Sequence, residues 1–196
     1  MRYLTISVIT FLGALPLLSS CRSDNSGRQA YIRLQVQYAP VILTLSNNPR
    51  DVLLQKAVNY ATNGPVDGIF VDRFAAAYAA AGGNRLSPLF VKPSNTNISL
   101  KSSDADVITF LKRKTSDAAK HTAFILMQRL DTIGGGNRHW ELNDMTGIIM
   151  VSFSGTYSAQ RLRTYLQSRD KLIYESHTNA ERISAPAVVQ EISIDK

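Results

Sequence analysis

The sequence predicts an α+β fold built on an antiparallel sheet. Three observations carry this. Residues 31–38 alternate strictly between apolar and polar, residues 103–134 hold the longest helical pattern, and turn chemistry at 143–147 separates two runs of strand length. In Tyr31–Tyr38 the residues Ile32, Leu34, Val36 and Tyr38 share one face, as a half-buried strand requires, and Pro40 ends the run. From Val41 to Pro93 the spacing turns helical. Leu53, Leu54, Ala57, Val58 and Ala61 form one stripe, broken by Asn63-Gly64-Pro65. Ile69, Phe70, Phe74, Ala77 and Tyr78 form a second, stopped by Gly82-Gly83 where a helix cap belongs. Pro88 and Pro93 punctuate a loop or short helix. The long helix opens at Ser103, where Ser103 to Asp106 resembles a capping box with Asp in place of Glu or Gln. Val107, Ile108, Leu111, Ala118, Ala119, Ala123, Phe124, Leu126, Met127 and Leu130 supply its core face, and Gly134-Gly135-Gly136 stops it.

Arg138–Leu142 and Ile148–Phe153 then read as a hairpin around Asn143-Asp144-Met145-Thr146-Gly147. A helix follows from Gly155 through Gln167, with Leu162, Tyr165 and Leu166 inward, and Lys171–Glu175 is a last strand. Val188–Ile194, in a weakly patterned tail at 177–196, has the composition of an edge strand. Setting residues 41–102 aside, the order is strand, helix, strand, strand, helix, strand. This is the βαββαβ order of a ferredoxin-like sandwich, carrying a helical insertion (about 41–98) after its first strand. Two helices cover one face of a four-stranded sheet in such a layout.

The N-terminus reads as an export signal. Residues 1–20 carry Arg2 as their only charge, followed by an apolar run from Tyr3 to Leu18 broken by Gly13 and Pro16. That run is short for a membrane span, which needs about 20 apolar residues. A positive start, an apolar middle and a small-residue end are the layout of a signal peptide. Leu18-Ser19-Ser20-Cys21 resembles the lipobox of bacterial lipoproteins. The resemblance implies cleavage before Cys21 and diacylglyceryl transfer to its thiolate. Cys21 is the only cysteine, which excludes an internal disulfide framework and a cysteine-based metal site. The expected organisation is a signal peptide at 1–20, a lipidated tether at 21–30, a domain at 31–176 and a tail at 177–196. A multiply acylated N-terminus anchors stably to a membrane. The expected location is therefore the cell envelope, on the periplasmic face or the outer membrane.

The stretch Asp104–Glu175 resembles the first periplasmic domain of SecD and of the fused SecDF form, an accessory of the protein-export channel. Gln128-Arg129-Leu130-Asp131-Thr132-Ile133-Gly134 is similar to the family's motif at the end of the long helix. Gly147-Ile148-Ile149-Met150-Val151-Ser152-Phe153-Ser154-Gly155 is similar to its strand and turn. Ala159–Leu166 followed by Lys171–Glu175 is similar to the next helix and strand. Arg33–Ile42 and the helical region 50–90 resemble the longer insertion of some fused forms. The resemblance marks Arg129, Asp131, Gly134, Gly147 and Gly155 as motif positions with structural roles. The sequence departs from the family at Arg28-Gln29-Ala30, where the family has Gly-Gly, at Gly135-Gly136-Asn137-Arg138, and at Phe153-Ser154-Gly155, where it has Leu-Pro-Gly. The family's longer chains continue into a head subdomain and membrane helices that couple proton movement to transport. The resemblance implies only the base of the periplasmic domain here.

No catalytic constellation stands out. The formal net charge is +7, but the basic residues are scattered, with Lys112-Arg113-Lys114 the only short run. Nucleic-acid binding needs a basic groove with aromatic stacking platforms, a pattern this sequence lacks. Of the histidines, His121 lies in the long helix with Ile125 one turn on, His177 lies in the tail, and His139 shares a strand face with Glu141. A solvated polar face explains that last pair better than a zinc site, which needs at least three protein ligands. There is no Gly-x-Ser-x-Gly elbow, and Gly134–Gly136 does not open a helix after a strand, so it is not a phosphate loop. Tyr31, Tyr38, Tyr157, Tyr165 and Tyr174 are expected in the core and its rim. The expected function is that of a noncatalytic, lipid-anchored envelope protein without cofactor or metal. It would bind polypeptide or envelope partners, in connection with protein export. A diverged surface or structural lipoprotein is the alternative, with a membrane-tethered hydrolase behind it.

Overall fold

The computed structural model describes residues 29–65, 67–132, 138–154 and 187–194. Within them the chain is α+β, with four strands and five helices. The strands are β1 (Gln29–Val36), β2 (Arg138–Asn143), β3 (Ile148–Ser154) and β4 (Ala187–Ile194). They form one sheet in the order β2-β3-β1-β4, and every pairing is antiparallel. The predicted alternation of β1 holds. Ile32, Leu34 and Val36 are buried on one side, and Tyr38 just beyond the strand continues their face. Opposite them on β3, Ile149 and Val151 are buried, while Met150 between them is partly exposed. One sheet face is therefore dry and the other meets solvent.

Between β1 and β2 lie α1 (Ala39–Leu45), α2 (Val52–Thr62), α3 (Phe70–Ala80), α4 (Ser87–Phe90) and α5 (Asp104–Thr132). Pro40 sits in the first turn of α1, where its missing N–H costs nothing. The Asp51 carboxylate caps α2 by accepting from the Leu54 N–H at 2.8 Å. Helix α3 ends in a Schellman motif: the Gly83 N–H donates to the Tyr78 carbonyl and the Gly82 N–H to the Ala79 carbonyl, both at 3.0 Å. Gly82 takes φ +89°, a conformation that a Cβ disfavours. The α5 capping box forms as the sequence suggests. The Asp106 N–H donates to Ser103 Oγ at 3.2 Å, and the Ser103 N–H donates to Asp106 Oδ2 at 2.9 Å. Those bonds to Ser103 hold the Asp106 carboxyl below the usual carboxylate range.

The insertion does not form a lobe of its own. Leu45, Leu54, Phe74 and Phe90 belong to the same continuous core as Ile32, Leu34, Leu111 and Ile149. Phe74 and Phe90 meet edge to face at 6.2 Å between centroids. At roughly 25 cal/mol per Å² of apolar area removed from water, such shared burial is what holds the helices to the sheet. Two details of α5 differ from expectation. Phe110 is buried and Phe124 is exposed. Phe124 lies two residues before Leu126, about 200° around the helix, so it faces away from the core. Thr115 and Thr122 occupy the inner face instead, their hydroxyls donating to the Leu111 and Ala118 carbonyls one turn back, at 3.0 and 2.8 Å.

Beside β1 lies β4 at 187–194, the stretch whose composition suggested an edge strand. A register shift between Arg33 and Leu34 leaves Gln190 as an extra residue on β4, a bulge that strengthens local twist. The expected helix at 155–167 and strand at 171–175, the signal peptide, the tether as far as Arg28 and most of the tail lie outside the described residues, while Gln29 and Ala30, expected in the tether, open β1. Among the described residues no helix is long and apolar enough to cross a membrane.

Replacing Ser103 with Ala removes the acceptor for the Asp106 N–H and should lower unfolding free energy by about 1 kcal/mol. Gly82→Ala should cost a similar ~1 kcal/mol, through its positive φ alone, because the space around it is open. Urea denaturation of each variant against the parent chain reads both.

Candidate functional site

The richest polar constellation forms where the β2–β3 turn meets α5 and the end of β1. The turn is built locally. Asn143 Oδ1 accepts from the Met145 and Thr146 N–H groups at 3.2 and 3.1 Å, and the Gly147 N–H closes onto the Asn143 carbonyl at 2.8 Å. Gly147 takes φ +78°, and a Cβ there would meet the Tyr38 ring at 3.0 Å. Both facts require glycine at this motif position.

The turn then docks on β1. The Val36 N–H donates to the Gly147 carbonyl at 2.9 Å, and Gln35 Nε2 donates to the Thr146 carbonyl at 2.7 Å. Tyr38, only 2% exposed, donates its hydroxyl to the Asp144 carbonyl at 2.7 Å. Burial, with the nearby Asp144 charge adding to it, raises the Tyr38 pKa far above the ordinary phenol value. Its ring meets Phe70 of α3 edge to face at 6.0 Å.

The Asp144 side chain turns to α5. Ser116 donates its hydroxyl to Asp144 Oδ2 at 2.5 Å, and Lys120 Nζ, one helical turn on, lies 3.0 Å from the same oxygen. The Ser116 bond, then the Lys120 bond, hold this carboxyl below its usual range. A serine, a lysine and an aspartate together suggest nucleophilic chemistry, but the arrangement opposes it. Ser116 is buried, and an aspartate so stabilised in its ionised form is a weak base. The cluster acts as a clamp between hairpin and helix. A small cavity beside it, about 90 Å³, is lined by Gln35, Tyr38, Phe70 and Arg73 among others. Substrate pockets usually run from about 300 Å³ upward.

The other motif positions separate. Asp131, in the last turn of α5, pairs with Arg138 at the start of β2, tying helix end to strand start. Arg129 lies on the same final turn. Cys21, Gly134 and Gly155 lie outside the described residues, as does His177. His139 Nε2 and Glu141 Oε1 are 3.1 Å apart, and both side chains are about three-quarters exposed. Among the described residues no group of three His, Cys, Asp or Glu could hold a metal. Partial burial lowers the His121 pKa. The basic run at 112–114 is engaged locally: Lys112 pairs with Asp72 of α3 at 2.7 Å, while Arg113 and Lys114 flank the Phe110 ring.

Two features carry no sequence motif. Arg73 of α3 donates to the Ala61 carbonyl in the last turn of α2, a group the helix leaves open, and to the Pro65 carbonyl in the loop that follows. Beside that helix pair, an open groove of about 450 Å³ is lined by Lys56, Tyr60, Ala76, Ala77, Ala80 and Ala81, with Tyr60 66% exposed. Tyr60 is an exposed aromatic on a helix, and only the packing of α2 on α3 turns it into the wall of a groove. No family model, curated protein or solved structure matches this chain.

Tyr38→Phe should lower stability by about 1–2 kcal/mol, because it leaves the Asp144 carbonyl without its donor. Asp144 also makes stability depend on pH. Its folded pKa is depressed, so its contribution is present above the unfolded value of about 3.9 and fades as pH falls through the folded pKa. Denaturation midpoints of the parent and Asp144→Asn chains should differ at pH 7 and converge toward pH 2.

Proposed function

We propose that this chain is a noncatalytic, lipid-anchored protein of the cell envelope, with a ferredoxin-like domain similar to the first periplasmic domain of SecD. It binds extended polypeptide or envelope partners in connection with protein export. The observation that carries the anchor is Leu18-Ser19-Ser20-Cys21 closing an apolar run that opens with a single positive charge. The ferredoxin-like reading is supported by the strand order β2-β3-β1-β4, all antiparallel, with the long helix linking β1 to β2. In that layout two βαβ units interleave, and β4 occupies the edge beside β1. Its length and place support reading it as the fourth strand of such a sandwich.

Polypeptide binding is supported by the groove beside Tyr60. An exposed tyrosine over a floor of alanines offers an amphipathic anchor and room for a partner's side chains. Such sites are the common currency of protein recognition. Fold analogy alone does not assign a partner, so the test must recover one.

Metabolic labelling with palmitate should mark the parent chain and not Cys21→Ser, and only the parent should fractionate with membranes. A photoreactive side chain at position 60 should crosslink, in intact cells, to translocon components or newly exported chains. Crosslinks confined to surface or cell-wall proteins would remove the export assignment. An unlabelled, soluble parent chain would remove the anchor.

A further inference from the structure

Strand β2 ends the sheet on one side, and no strand lies beyond it among the described residues. Its sequence is Arg138-His139-Trp140-Glu141-Leu142-Asn143. The direction of its main-chain groups follows from the neighbouring ladder. The Val36 N–H bonds to the Gly147 carbonyl, so the Leu34 to Ile149 and Ile32 to Val151 positions are hydrogen-bonded pairs. Ile148, Met150 and Ser152 therefore turn their main-chain groups toward β2, where they face Asn143, Glu141 and His139. Trp140, and its neighbours at 138 and 142, are left with N–H and C=O groups aimed at the open edge. Trp140 itself is 46% exposed.

Natural edges are usually guarded by charge, because two copies laid side by side would set like charges together. Here the flanking charges, His139 and Glu141, stand in a self-complementary order. Reversed about Trp140, the sequence His-Trp-Glu maps onto its own complement: His139 falls opposite Glu141 of the second copy, and Glu141 opposite its His139. We propose that β2 is a self-pairing edge, and that two copies of this chain join antiparallel with Trp140 on the twofold axis. The two Trp140 residues then exchange main-chain hydrogen bonds. The flanking His139 and Glu141 positions become non-hydrogen-bonded pairs, where side chains approach most closely. Each copy already holds its own His139 and Glu141 3.1 Å apart, so the four groups close into one ring of alternating partners. The contact is isologous, as a closed dimer requires. Its small extent makes the dimer weak, on the order of micromolar.

The chain has one tryptophan, so its own fluorescence reports the contact. Full-length Cys21→Ser protein, which carries no lipid whether or not Cys21 is acylated in cells, should sediment between 21.6 kDa and twice that mass over about 1–100 µM. Trp140 emission should shift to the red on dilution across the same range. Glu141→Lys and His139→Glu should each weaken the dimer about tenfold, by removing the facing pair or setting two glutamates together. The double variant should restore it, since the glutamate placed at position 139 would then face the lysine placed at position 141 of the other copy. In the Cys21→Ser chain, Trp140→Cys should link to its own copy and Asn143→Cys should not, the 143 positions standing roughly 20 Å apart. Retained folding of each variant is checked by circular dichroism. A monomer at every concentration, charge variants that all associate alike, or equal linking at 140 and 143 would each overturn the proposal. Capture of an added extended peptide at β2 by a monomeric chain would also overturn it.

Discussion

A phenol hydroxyl taken out of water must find an acceptor, and the one Tyr38 finds sets much of this structure. Its partner is the main-chain carbonyl of Asp144, in a turn more than a hundred residues away along the chain. Meeting that partner brings the β2–β3 hairpin over the end of β1, in the register that places Ile149 beside Leu34 and Val151 beside Ile32. It also presents the Asp144 side chain to α5, where Ser116 and Lys120 hold it. Strand, hairpin and helix are thus fixed to one another around a single residue pair. The absence of a side chain at Gly147 leaves room for the Tyr38 ring that makes this possible.

The helices between β1 and β2 are joined to that frame by apolar burial and by side chains that complete exposed helix ends. Arg73 closes the end of α2. Asn95, 1% exposed, donates to the Leu45 and Phe90 carbonyls at the ends of α1 and α4. Asp104 accepts the Leu86 N–H and so ties the start of α5 to the approach to α4. Buried main-chain groups at helix ends would otherwise stay unpaired, at a cost of about 1–3 kcal/mol each. One core runs through insertion and sheet alike.

Most of the strongly placed polar groups in the interior are engaged in holding elements together, and the features suited to recognition lie at the surface. The Tyr60 groove belongs to the insertion, whereas the β2 edge belongs to the sheet, and different groups would engage at each: side chains at the groove, main chain at the edge. Two chains paired through β2 would bring together two Tyr60 grooves, one from each copy. Two weak sites presented together gain effective concentration for a partner long enough to reach both.

Near neighbours in the chain are enough to define the local elements. Alternation over 32–38, the Ser103 to Asp106 capping box, the Gly82-Gly83 stop and the Asn143–Gly147 turn each rest on such short-range interactions, and each is found where the sequence places it. The requirement for glycine at 147 is legible as turn chemistry, though not its contact with Tyr38. Features that depend on pairs distant in sequence come from the packed chain alone. Periodicity gives an apolar residue a helix face but not that face's partner, so the stripe turns Phe124 inward and passes over Phe110. Alternation marks 188–194 as a strand but cannot choose its neighbour, and the choice of β1 rests on main-chain bonds any sequence could offer. The clamp of Tyr38, Ser116, Lys120 and Asp144 has no sequence signature, because its spacing is set by how the hairpin folds back onto the helix.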